Sequence, residues 1–212
     1  LMNQATRTPW QALATLLLGA ALATSSQAAS VRLVGFDELV GSSQLIFHGV
    51  VVASTSRRVA TAPGIVTDVE FEVLEAYKGR AGGNRIVLQF AGGVVDGRGV
   101  QVQGLQLPAA GERGVYFVEQ TARPQIHPLY GWDQGHYRVE RRANGPARVY
   151  TNRGLAVTAA RSAPGPTGVR LSEGLPLGIT AKPGAGPESA LSLAEFAATI
   201  RAVAERPAGV VR

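Results

Sequence analysis

Cysteine is absent from all 212 residues. That excludes disulfide bonds, thiolate nucleophiles and cysteine-ligated zinc, and it excludes a lipid-modified cysteine at a processed N-terminus. Lysine is nearly absent too: Lys78 and Lys182 are the only two, so arginine carries almost all the positive charge. Histidine occurs three times and aromatic residues make up 6% of the chain, which leaves few candidates for imidazole chemistry or a stacking platform. Neither a Gly-x-Ser-x-Gly elbow nor a His-Glu-x-x-His pair is present. The stretch Gly92-Gly93-Val94-Val95-Asp96-Gly97-Arg98-Gly99 lacks the Lys-Ser/Thr ending of a phosphate loop and reads as a turn. No apolar run reaches the roughly 20 residues of a membrane-spanning helix.

The N-terminal region does carry a pattern. Arg7 supplies a positive start, Gln11 to Ala23 a short apolar stretch with Leu13, Leu16, Leu17, Leu18 and Leu22, and Ser26-Gln27-Ala28 small residues at −3 and −1. This predicts a secretory signal peptide over 1–28. The mature chain is then expected to be periplasmic or secreted from a bacterium, with no transmembrane segment after cleavage. Residues 29–212 carry 20 basic and 15 acidic side chains, a net charge of +5. They suffice for one domain with a real core.

Beyond the signal, Val31–Val40 places Leu33, Phe36, Leu39 and Val40 on one helical face, and Gly41-Ser42-Ser43 stops it. Gln44–Ser56 is nearly continuously apolar, as in a strand buried on both sides or bent through a barrel, with Gly49 marking a bulge. Ile65–Glu75 alternates cleanly: Ile65, Thr67, Val69, Phe71 and Val73 on one face, Asp68, Glu70 and Glu72 on the other. Further strands are expected at 85–90, 100–103, 114–119, 135–140 and 147–151, the last two flanking Asn144-Gly145. Across 160–190, eleven of 31 residues are Gly or Pro, which predicts an extended excursion. Ser192-Leu193-Ala194-Glu195 is a capping box opening a helix to about Glu205. The expected fold is mainly β: an antiparallel barrel domain over 29–159 with a short N-terminal helix, and a C-terminal helix over 191–206 docking on it.

Three chemistries are weighed. Arg138, Arg141, Arg142, Arg148 and Arg153 face only Glu140, and Tyr130, Trp132 and Tyr137 cluster around Gly131 and Gly135. Arg138, Arg141, Arg142 and Arg148 with Tyr130 and Trp132 are the candidate binding residues, for a polyanion, a polysaccharide or a protein. The alternative roles are a solvated hairpin face and a barrel cap. His127, Asp133 and His136 could share a metal, but their spacing fits no zinc motif, so no metal or other cofactor is expected. The acidic row 68, 70, 72 reads as a solvated strand face. Nucleic acid is not expected for an exported chain lacking a recognisable stacking module.

Phe36-x-x-Leu39-x-x-Ser42-Ser43-x-Leu45-Ile46-Phe47-x-Gly49-x-Val51 is followed by Thr67-x-Val69-x-Phe71-x-Val73-x-x-x-Tyr77-Lys78-Gly79, then Gly92-Gly93 and Gly111-Glu112-Arg113-x-Val115-x-Phe117. This pattern resembles a group of exported bacterial proteins of unassigned activity. More distantly it resembles the netrin-type module of tissue inhibitors of metalloproteinases, an OB-like β-barrel. The resemblance covers 33–118 and implies that fold and protein partners. Those inhibitors act through an N-terminal cysteine and are held by disulfides. This chain has neither, so no inhibitory residue carries over. The expected function is a non-enzymatic exported β-barrel module that binds another protein, such as an extracytoplasmic protease. The alternatives are an envelope polysaccharide or polyanion-binding module, and a metal-dependent hydrolase built on His127, Asp133 or His136.

Overall fold

The computed structural model describes residues 31–206 apart from 103, 123, 124, 142 and 144. The segment read as a signal peptide therefore lies outside the described residues. Among those described, no helix is long and apolar enough to cross a membrane.

The fold is mainly β. Ten strands run β1 Leu45–Arg58, β2 Ile65–Lys78, β3 Arg85–Ala91, β4 Gly93–Val95, β5 Arg98–Val100, β6 Arg113–Val118, β7 His136–Glu140, β8 Arg148–Thr151, β9 Ala156–Ala160 and β10 Ile179–Lys182. Helix α1 spans Phe36–Ser42 and α2 spans Leu193–Ala204. Eight strands form one antiparallel sheet in the order β10-β9-β8-β7-β6-β1-β2-β3, and β4 pairs with β5 as a separate hairpin. The sheet has two ends, so the expected closed barrel is not formed by this ladder.

Side-chain alternation on the two central strands explains the architecture. On β1, Ile46 packs into one core with α1 and α2, while Leu45, Phe47 and Val51 enter a second core on the opposite face. On β6, Val115 and Phe117 join the first and Tyr116 and Val118 the second. Both strands are apolar on both faces because both faces are covered, which is why the β1 segment lacks a polar alternation. The β7–β10 half contributes Tyr137, Val139, Val149, Val157 and Ile179 to the helix side. The β2–β3 half fills the other core with Val69, Phe71, Leu88 and Phe90. Around that second core, residues 126–130 reach both ends of the four-strand group. Leu129 bridges Val118 of β6, and the Ala91 N–H of β3 donates to the Ile126 carbonyl at 3.0 Å. At β6 two main-chain bonds flank the bridge, from the Glu119 N–H to Pro128 and from the Tyr130 N–H to Phe117, whereas none of this extends into a named strand.

Two glycines make room for the aromatic core. A Cβ on Gly114 would lie 2.7 Å from the Tyr116 ring and 2.7 Å from the Tyr137 carbonyl oxygen, and one on Gly49 would lie 2.8 Å from the Phe47 ring. The Phe47, Phe71 and Tyr116 rings then meet at centroid distances of 4.7–5.6 Å.

Several boundaries differ from the sequence expectation for physical reasons. The N-terminal helix starts at Phe36 rather than Val31, because 31–35 is drawn into extended pairing with the Gly/Pro-rich stretch: Arg32 bridges Leu171 and Gly35 bridges Leu177. That stretch is thus built into the body, and it also contains β10. The strand expected at 100–103 is instead the short β4–β5 hairpin. The capping box at Ser192 and Glu195 forms as read: the Ser192 hydroxyl accepts from the Glu195 N–H, and the Glu195 carboxylate accepts from the Ser192 N–H at 2.8 Å.

Candidate functional site

The residues singled out in the sequence do not share one bare face. On the β7–β8 pair, Arg138 lies opposite Tyr150 and Glu140 opposite Arg148. Arg138 sits 3.5 Å from Glu140. Arg148 Nη1 donates to the Ala190 carbonyl at 2.7 Å, fixing the turn before α2. Arg153, a further member of the arginine-rich stretch, is held by Asp133 at 3.0 Å. Arg141 is exposed just beyond β7, and Arg142 lies outside the described residues. The two aromatics diverge. Tyr130 packs against the helix-side core and donates its hydroxyl to Glu38 at 2.7 Å, where Arg32 also pairs with Glu38. The Arg32 hydrogen bond holds the Glu38 carboxyl below its ordinary range. Trp132 stacks instead on His127, with centroids 5.2 Å apart and planes 15° from parallel. Its φ of +57 follows a left-handed Gly131, a conformation that bulky residues rarely adopt.

The metal constellation is also dispersed. Asp133 is engaged by Arg153, and the His127 Nδ1 accepts from the Leu129 N–H at 3.1 Å. His136 pairs with Glu112 at 2.6 Å. Among the described residues, no group of three or more His, Asp or Glu side chains is placed to hold a metal. The acidic row is tied across strands: Arg57 to Asp68 at 2.8 Å and Arg85 to Glu70 at 2.7 Å.

Sequence reading missed two arrangements. The first is a buried polar knot in the second core. His136 is 2% exposed, and Glu112 receives both its Nε2 contact and a weaker donation from the Tyr116 hydroxyl at 3.3 Å. Burial pushes the Glu112 carboxyl up, but the His136 hydrogen bond, the His136 and Arg138 charges and the Ala109 N–H outweigh it, leaving it below the ordinary range. His127 and His136 lie close enough for their charges to interact. Glu112 and His136 are 24 residues apart, so no local pattern announces the pair. This buried pair fixes the 108–112 loop to β7.

The second is the outer edge of β3. Antiparallel geometry alternates the direction of main-chain groups, residue by residue. The Gly92 N–H donates inward to Ile65, and the Asn84 carbonyl accepts inward from Val73, so even-numbered β3 residues face β2. Odd-numbered residues face out, as the Ala91–Ile126 bond confirms. Arg85, Val87 and Gln89 therefore turn their N–H and C=O groups away from the sheet, and these have no partner among the described residues. A cleft runs beside this edge, bounded by Val87, Gln89, Gln120, Thr121, Gln125 and Pro128. A second cleft continues past Gln125 to Ile126 and Pro63. Val87 is 59% and Ile126 63% exposed, and the Gln125 side-chain oxygen is buried without a hydrogen-bond partner.

No family model, curated protein or solved structure matches this chain.

Proposed function

We propose that this chain is a non-enzymatic module, exported from a bacterium, that binds another protein, with extracytoplasmic proteases as the first partner class to screen. The observation that carries the reading is the β3 edge, where Arg85, Val87 and Gln89 turn their main-chain groups outward without partners among the described residues, beside a cleft bordered by the exposed Val87. An open strand edge is a ready template for pairing with another chain. The export pattern in 1–28 supports the location. The engagement of Glu112, His127, Asp133 and His136 by neighbours supports a binding rather than a hydrolytic role. We also read the β6-β1-β2-β3 group, wrapped around Phe47, Phe71, Phe90 and Tyr116 and touched at both ends by 126–130, as the OB-like part of the netrin-type resemblance.

The test is affinity capture. The chain from Ala29 is immobilised and exposed to exported proteins of its source, with an equally basic unrelated domain as control. A stoichiometric partner retained at moderate salt, absent from the control, is the expected result. An empty column contradicts the reading.

A further inference from the structure

The geometry points to strand addition: we propose that the partner contributes an extended segment that pairs with the outward main-chain groups of Arg85, Val87 and Gln89, as one further strand beside β3. The inference rests on the protein-binding reading above and specifies how that site works.

Four observations carry it. An open edge presents a row of donors and acceptors with the repeat of a strand, and its natural complement is another strand. The chain already uses this edge once. Ala91, the next outward residue, donates to Ile126, so an added strand continues a pairing that exists. The cleft beside the edge is lined by amide and hydroxyl side chains, Gln89, Gln120, Thr121 and Gln125, which match the polarity of a peptide main chain. The buried Gln125 oxygen, without a hydrogen-bond partner, belongs to a side chain of the same cleft and becomes an acceptor for an incoming N–H once that side chain turns outward.

The same features select the occupant. Among the described residues the cleft lining carries no charged residue, so the segment's central residues are uncharged. Its side chains alternate, one set lying beside Val87 and the other toward the cleft. Residues 120–122 wall the cleft. The occupant is a segment of a different protein, as the protein-binding reading above requires, and pairing with a second copy of β3 is the alternative that the test below separates.

Other edges and cavities offer less. The β10 strand is four residues long, a common protection against pairing. The groove beside α2 is lined by Glu75 and Arg201, which neutralise each other.

Val87→Pro tests the proposal. Its N–H points away from the sheet, so proline removes a donor needed only by the added strand and projects its ring into that strand's path, while the β2 ladder is kept. Val87→Thr keeps the N–H and the branched shape. The probe is a displayed library of random peptides of about ten residues, the length of a strand with flanks. Expected are peptides with uncharged centres that bind the native chain and Val87→Thr alike. Val87→Pro should weaken them by at least about tenfold, with an unchanged melting temperature. Equal binding to Val87→Pro, or recovery of no peptide, overturns strand addition. So does a self-associated chain that Val87→Pro dissociates, which would make the occupant a second copy. If Val87→Pro itself loses its fold, Gln125→Leu on the cleft side takes its place, with the same expected loss. Should the captured protein partner bind native and Val87→Pro chains equally, the protein-binding reading stands and strand addition alone fails.

Discussion

Acidifying the protein from about pH 7 to about pH 4 is expected to remove about 3 kcal/mol of stability through His127 alone. Burial, and secondarily the His136 charge, push the His127 imidazole from its ordinary value down to about 3. Below about pH 6.5 the unfolded chain takes up a proton that the folded chain refuses, so stability is complete above that point and falls by about 1.4 kcal/mol per pH unit toward pH 3. The packing explains the refusal. The ring is sandwiched between Trp132 and the edge of Phe90, and its Nδ1 already accepts from Leu129. Glu112 adds to the loss at lower pH. Its carboxyl is held below the usual range, so its contribution is present above the ordinary carboxylate pKa and is lost as pH falls through the folded one. The check is urea unfolding at several pH values for the native chain and His127→Asn, which keeps an acceptor for Leu129. The variant should be weaker at neutral pH and flatter between pH 6.5 and 4. An identical slope in both would contradict the assignment.

Phe117→Ala is expected to cost about 3–5 kcal/mol, a large share of the roughly 5–15 kcal/mol that holds an ordinary domain. Phe117 is fully buried on β6, where its ring meets Phe36 of α1 at 6.2 Å, Tyr137 of β7 at 5.8 Å and Phe196 of α2 at 6.4 Å. The ring sits where both helices meet the sheet centre, so truncation leaves a cavity that cannot close without moving three elements. A loss below about 1 kcal/mol in chemical unfolding would show that the helices do not depend on this contact.

Much of the fold is legible in the sequence where a local period decides it. β2 alternates because one face meets Phe47 and Tyr116 and the other meets water, and Ser192 and Glu195 announce α2 through local hydrogen bonds. The continuous apolar run of β1 reports two covered faces without saying what covers them. Legibility fails where distant segments decide. The 31–35 segment has helical spacing but is claimed by 171 and 177, and β10 hides among Gly and Pro because its pairing with β9 carries it.

The site was less legible than the fold. The arginine-rich stretch was visible, but Arg148 and Arg153 turn out to serve Ala190 and Asp133, partners 42 and 20 residues away. β3 was recognised as a strand, whereas its open edge is a property of sheet order and of where 120–122 and 125–128 lie. Nothing within Arg85–Ala91 itself encodes that.

Amide hydrogen exchange at β3, read residue by residue with and without the captured partner or a selected peptide, bears most directly on binding at this edge. In the free chain the N–H groups of Val87 and Gln89 should exchange quickly while those of Ile86 and Leu88, bonded to β2, exchange slowly. On binding, Val87 and Gln89 should become protected by about tenfold or more. A bound partner that leaves both amides exchanging as in the free chain would contradict an interface at this edge.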